Sequence, residues 1–249
     1  MKDIEISVIL PTRDRPELLW DLIYNLHEKT SDYSKIEMII GYDHDDEVTK
    51  NFLLSKNYKK DELAAKFGEE LIDIKLIEFP FTGKTKFKGK INHHTHFDIL
   101  GKEARASKWI WLTGDDFRIL TNKWDDILRT HAPIKKAYIS QGMFNNIPGY
   151  WAYGKRNNLS SYVAITPIIT VDLYRIISDI WSPPIDQWLW TLKDKIQILH
   201  TMDKILDVEH RRWGAKKGQP GCSTLLQQFM KEEQWNNSLE LAIKRFNEL

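Results

Sequence analysis

A single cysteine, Cys222, stands in 249 residues. That excludes an intrachain disulfide and a cysteine-rich zinc site, and it suits a reducing compartment, so cytoplasmic residence is expected. Long apolar runs are missing as well. The N-terminal run from Ile4 to Leu10 is broken by Glu5 and Ser7, too short and too polar for a signal peptide. Nothing elsewhere approaches the roughly 20 apolar residues of a membrane span. Charge of one sign is not in excess either: 36 Lys plus Arg against 35 Asp plus Glu leave a net +1. Tight non-specific binding to a polyanion is therefore not expected. No internal repeat or low-complexity linker interrupts the chain, which points to one domain.

Hydrophobic residues at 42% and charged residues at 29% are ordinary for a folded protein able to bury a core. Ten tryptophans suit carbohydrate platforms and large cores equally well. The first half alternates compact apolar runs with helical periodicity. Ile6–Leu10 reads as a strand ending at Pro11-Thr12. Leu18, Leu19, Leu22, Ile23 and Leu26 then mark a helix over 16–27, with Asp14 as its expected N-cap and Pro16 in its first turn. Ile36–Tyr42 and Ile74–Phe79 read as further strands, with a charged helical stretch to about Glu70 between them. A helix over 91–106 leads into the strongest strand, Trp109–Thr113.

That order argues for right-handed crossovers and a mostly parallel sheet with helices on both faces, an α/β fold of Rossmann-like type. Ligands of such sheets bind beyond the carboxyl ends of the strands. Pro11-Thr12, Asp43 and Asp115-Asp116 all fall there. Further on, 162–169 and 205–208 read as strands, and 171–178, 185–195 and the tail from Ser223 as helices.

Gly114-Asp115-Asp116 follows the strongest strand. Two adjacent carboxylates repel unless a cation neutralises them, and hard oxygen donors select Mg²⁺ or Mn²⁺, ions that share their shell with substrate phosphates. The competing reading is a turn with an acidic helix cap.

ISVILPTRDRPE, then YDHDD, then GKINHHTHFDILGKEARASKWIWLTGDDF resemble the opening half of GT-A glycosyltransferases close to family 2. They are nearest to a phage and viral type whose GDD turn replaces the common Asp-x-Asp. Asp186-Gln187-Trp188-Leu189 and Val208-Glu209-His210-Arg211-Arg212 match later elements of that type, so the resemblance spans most of residues 4 to 218. It implies a GT-A domain over 1–221, with a nucleotide-sugar half at 1–120 and an acceptor half at 121–221. Residues 222–249 are left as a helical extension.

The resemblance implies a metal-dependent, inverting transfer from a nucleoside diphosphate sugar, UDP-sugar favoured, to an acceptor hydroxyl. The acceptor is open among a glycan, a modified DNA base, a protein and a lipid-linked sugar, the last disfavoured by the lack of a membrane anchor. By it Pro11, Thr12 and Arg15 lie against the nucleoside, and Asp43 accepts a hydrogen bond from the base. Without it, Arg13 and Arg15 read equally well as solvated charges, and Asp43 as the cap of the helix starting near Asp45. Asp116 is implied as the direct metal ligand and Asp115 as a ribose-contacting or outer group, with exchanged roles left open. His210 would complete the Mn²⁺ or Mg²⁺ shell, its competing reading being a structural histidine. Arg211, Arg212, Lys216 and Lys217 would cover the diphosphate.

Asp186 matches the general base that deprotonates the acceptor; its alternative is a helix cap. Thr82 to Lys90 form a basic, glycine-punctuated loop whose stretch from Lys84 to Lys90 suits phosphate or solvent, and Asn92 is expected on donor sugar or phosphate. His93, His94 and His96 are not expected to form a metal site, because neighbours on a helix point apart. Two other readings share these residues: a sugar nucleotidyltransferase, disfavoured by the lack of an N-terminal glycine-rich phosphate loop, and a non-catalytic carbohydrate- or nucleotide-binding module.

Overall fold

A computed structural model describes residues 3–80, 93–130, 138–144, 167–180, 188–189, 191–192, 195–196, 200–210 and 232–248, with backbone alone at 56–58, 93–95, 138–144, 200–210 and 232. Its strands are β1 (Ile6–Thr12), β2 (Ile36–Asp43), β3 (Asp73–Phe79), β4 (Trp109–Leu112), β5 (Phe117–Ile119), β6 (Tyr138–Phe144), β7 (Ile168–Thr170) and β8 (His200–His210). The helices are α1 (Pro16–Lys29), α2 (Glu47–Leu54), α3 (Lys56–Phe67), α4 (His93–Lys102), α5 (Trp124–Thr130), α6 (Val171–Ile177) and α7 (Glu232–Asn247).

The described strands form one sheet in the order β3-β2-β1-β4-β7-β6-β8-β5. The first four are mutually parallel, as the alternation of apolar runs and helices predicts. β7 runs antiparallel to both β4 and β6, and β5 antiparallel to β8. From β1 the chain steps outward to β2 and β3, then returns to place β4 on the other side. The order therefore reverses between β1 and β4, and sheets of this kind bind ligands beyond the carboxyl ends of the strands at such a point.

β2 is buried along its whole length, and alternate residues serve two cores. Ile36, Met38 and Ile40 pack with Leu19, Leu22, Ile23 and Leu26 of α1. Ile39 and Ile9 pack with Phe97 and Leu100 of α4, Leu173 and Ile177 of α6, and Leu239, Ala242 and Phe246 of α7. The tail helix thus shares the core of the sheet, and Trp188 donates from Nε1 to Ser238 Oγ at 2.8 Å. Gly41 is required by this packing: a Cβ there would stand 2.1 Å from Phe79 Cζ and 2.9 Å from a Leu100 methyl.

Several local readings are corrected. Asp14 does not cap α1; Arg15 holds that position without a side-chain cap bond, and Asp14 has φ +53. The cause is its amide, which donates to Asp46 Oδ2 at 3.0 Å and turns the chain away from helix entry. Pro16 does sit in the first turn. The helix expected to Ala106 stops at Lys102, because the amide and Nε of Arg105 are drawn to the buried Glu37 carboxylate at 2.5 and 2.6 Å. The charged stretch after β2 is two helices broken at Ser55 and ended by Gly68 at φ +92. No described helix is long and apolar enough to cross a membrane.

Candidate functional site

β1 and β4 deliver the first half of the site at the switch point. Thr12, the last residue of β1, is buried, and its Oγ1 donates to Asp115 Oδ2 at 2.6 Å. This bond joins the ends of the two strands between which the order reverses. Asp115 is itself buried. Burial pushes its carboxyl up to about 6, and neighbouring Asp116 pushes the same way, against the pull of Arg15 and the Thr12 hydroxyl. Asp115 Oδ1 accepts no hydrogen bond. Arg15 Nη2 lies 2.7 Å from it, close enough to pair charges but outside hydrogen-bonding geometry.

Asp116 is half-buried, with Arg15 Nη1 3.7 Å from its Oδ2. Glycine at 114 leaves room for that carboxylate: a Cβ there would approach Asp116 Oδ1 to 2.9 Å. An aspartate at 114, as in the common Asp-x-Asp triplet, would re-aim Asp116. After the turn, β5 is anchored on one side by β8 and on the other by Asn25 of α1. The Asn25 side chain donates to the Ile119 carbonyl at 3.0 Å and accepts from the Ile119 amide at 2.6 Å. Strand pairing sets His210 opposite Phe117, one residue beyond Asp116, so the backbone of the expected histidine ligand borders the acidic turn.

β2 delivers the second half. Asp43 is buried at its carboxyl end and accepts from Arg13 Nη1 at 2.8 Å. Arg13 also donates to Asp45 at 2.5 and 3.2 Å and stands 3.4 Å from Asp14 Oδ2. The Asp45 hydrogen bond is the largest reason its guanidinium binds its proton more firmly than usual, outweighing burial, with Asp43 adding to it. Helix capping falls not to Asp43 but to Asp46, whose side chain accepts from the Thr49 amide at 3.0 Å.

Sequence reasoning missed His96. Its buried Nε2 lies 3.6 Å from Asp43 Oδ1, and its ring packs 4.5 Å from Phe79. A histidine and an aspartate 53 positions apart leave no local signal; only the docking of α4 beside β2 joins them. Pro11, partly exposed, borders the cleft on β1. Thr12, Asp43 and Asp115-Asp116 lie at or just beyond the strand ends, with Arg13 beside Asp43 and Arg15 beside Asp115. Lys90, Asn92, Asp186 and Arg211 lie outside the described residues.

Among the described residues no group of three His, Cys, Asp or Glu side chains is set to hold a metal. The partial set present does fit a hard cation: two adjacent carboxylates, one with a buried oxygen that accepts no hydrogen bond.

No protein-family profile matches the chain, and no curated protein is recognisably similar to it in sequence. Solved structures do resemble it. Residues 1–349 of S. aureus TarS, in complex with UDP-GlcNAc, share 16% identity at a TM-score of 0.57, covering 97% of this chain and 72% of that one. The mannosyltransferase PcManGT of Pyrobaculum calidifontis, in complex with GDP-Man and Mn²⁺, shares 11% identity at a TM-score of 0.59, over 97% and 73%. At such identities the likeness is one of fold. The chain has the GT-A glycosyltransferase fold, a mostly parallel sheet flanked by helices.

Proposed function

We propose that this protein is a glycosyltransferase that moves a sugar from a nucleoside diphosphate sugar, UDP-sugar favoured, to an acceptor hydroxyl of a glycan or modified nucleobase. The observation that carries the reading is the Thr12–Asp115 hydrogen bond at the switch point, with Arg15 and Asp116 beside it and Asp43 one strand away. Neighbours of the same fold are complexed with UDP-GlcNAc and with GDP-Man and Mn²⁺, which supports a donor in this cleft.

Asp43, held by Arg13 and with His96 Nε2 3.6 Å from its Oδ1, accepts a hydrogen bond from an N–H of the base. Pro11 and Thr12 line the nucleoside, Asn92 and Lys90 bind donor sugar or phosphate, and Arg211 covers the diphosphate. Asp115, Asp116 and His210 hold the Mn²⁺ or Mg²⁺. When bound, a divalent ion neutralises charge on the leaving nucleoside diphosphate. Asp186 accepts the proton of the acceptor hydroxyl as its oxygen attacks the anomeric carbon from the face opposite the diphosphate, which inverts configuration.

The test is a thermal-shift and slow-hydrolysis screen of UDP-, GDP- and ADP-sugars with Mn²⁺ or Mg²⁺. UDP-sugars should stabilise the protein most. Asp186→Asn should keep donor affinity and lose transfer by roughly 10²–10⁴-fold. If no sugar nucleotide binds with or without metal, the reading fails; a protein that binds donor equally well with Asp116 and Asp186 replaced, and never turns it over, is a binding module.

A further inference from the structure

Arg15 reaches to the acidic turn, its Nη2 2.7 Å from Asp115 Oδ1 and its Nη1 3.7 Å from Asp116 Oδ2. The two partners of this pair are unequal. The Asp115 side chain is 0% exposed and that of Arg15 39%, so only the guanidinium can leave into water. Thr12 Oγ1 holds Asp115 Oδ2 at 2.6 Å, so the acid keeps its place when the guanidinium moves. Asp115 Oδ1 accepts no hydrogen bond; what Arg15 supplies there is charge, which a hard divalent ion supplies in greater measure.

An ionised carboxylate buried without counter-charge is strongly unfavourable, so a cation beside it is favoured whether or not a ligand is bound. The stem of Arg15 is well suited to handing that duty over. Its backbone is set at the N-cap of α1, ahead of Pro16, and its side chain makes no capping bond there. The guanidinium is thus carried on a long flexible arm from a fixed base.

We propose that Arg15 is a resident counter-cation, which occupies the Asp115–Asp116 pair while the cleft is empty and gives way to a divalent ion when a nucleoside diphosphate arrives to receive the guanidinium. The inference rests on reading this cleft as a metal-assisted diphosphate site. A guanidinium displaced without a diphosphate exchanges a buried carboxylate for solvent. Displaced with one, it finds phosphate oxygens that its fork matches bidentately. Metal and nucleotide therefore bind cooperatively, each raising the affinity of the other by the same factor.

The experiment titrates Mn²⁺ into the full chain, with and without UDP, following free Mn²⁺ by electron paramagnetic resonance. Wild type should bind Mn²⁺ weakly alone and much more tightly with UDP. Arg15→Gln removes the competitor, so its affinity for Mn²⁺ alone should rise by up to roughly fivefold, the scale of one partly exposed ion pair, and its gain from UDP should shrink. Arg15→Lys keeps the charge and should bind Mn²⁺ alone as wild type does. If wild type and Arg15→Gln bind Mn²⁺ alone equally, while UDP tightens both, the exchange is overturned and the metal-assisted reading stands. If Arg15→Lys follows Arg15→Gln, charge is not what Arg15 contributes, and the proposal falls. If neither protein binds Mn²⁺ even with UDP, both readings fall together.

Discussion

Asparagine at position 115 should make the protein more stable at neutral pH while it disables the site. Burial pushes the Asp115 carboxyl from an ordinary 3.8 up to about 6, so between those values the folded protein holds a proton that the unfolded chain has released. Stability is therefore lost as pH rises through this window, and the loss is complete above it. At roughly 1.36 kcal/mol per pH unit the separation corresponds to about 3 kcal/mol at pH 7. Asparagine avoids that cost: it is neutral, and its amide oxygen still accepts from Thr12 Oγ1. Arg15, well exposed, can turn to solvent.

The check is urea denaturation of wild type and Asp115→Asn from about pH 4 to about pH 8. The advantage of the variant should grow by up to about 3 kcal/mol across the window and then level off, roughly 6–12 °C in melting temperature for a chain of this size. Mn²⁺ with UDP should stabilise wild type and not the variant. A stability gap that ignores pH, or one that moves in favour of wild type as pH rises, would refute the reasoning.

Two further substitutions probe the frame that carries the site. Gly41→Ala drives a methyl into Phe79 and Leu100 and should cost roughly 1–3 kcal/mol, measured by chemical denaturation; a change within experimental error would mean that the phenyl ring moves aside freely. Asn25→Ala strips the buried amide and carbonyl of Ile119 of their side-chain partner and should cost roughly 2–4 kcal/mol. Because β5 leads directly out of the Asp115-Asp116 turn, the same variant should also weaken nucleotide binding by calorimetry.

Much of this architecture was legible in the linear chain. The compact apolar runs of β1 to β4 and the 3.6-residue spacing of α1 are local patterns, and local patterns dictate which residues turn inward. Thr12, Asp43 and Asp115 could be placed at strand ends because each follows such a run, and parallel strands send those ends to one edge of the sheet. The antiparallel entry of β7 and β5 was not legible. Short strands declare their faces but not their neighbours.

What tertiary structure alone decided is the pairing of charges. Arg13 and Arg15 are two residues apart and look interchangeable in the motif, yet one closes on Asp43 and Asp45 and the other on Asp115. Asp14 looked like a helix cap until the Asp46 carboxylate took its amide. His96 gained its meaning from Asp43, which α4 brings within 3.6 Å. Periodicity is a property of neighbouring residues and survives in the sequence; an ion pair depends on where two distant backbones come to rest, and only the folded chain holds that information.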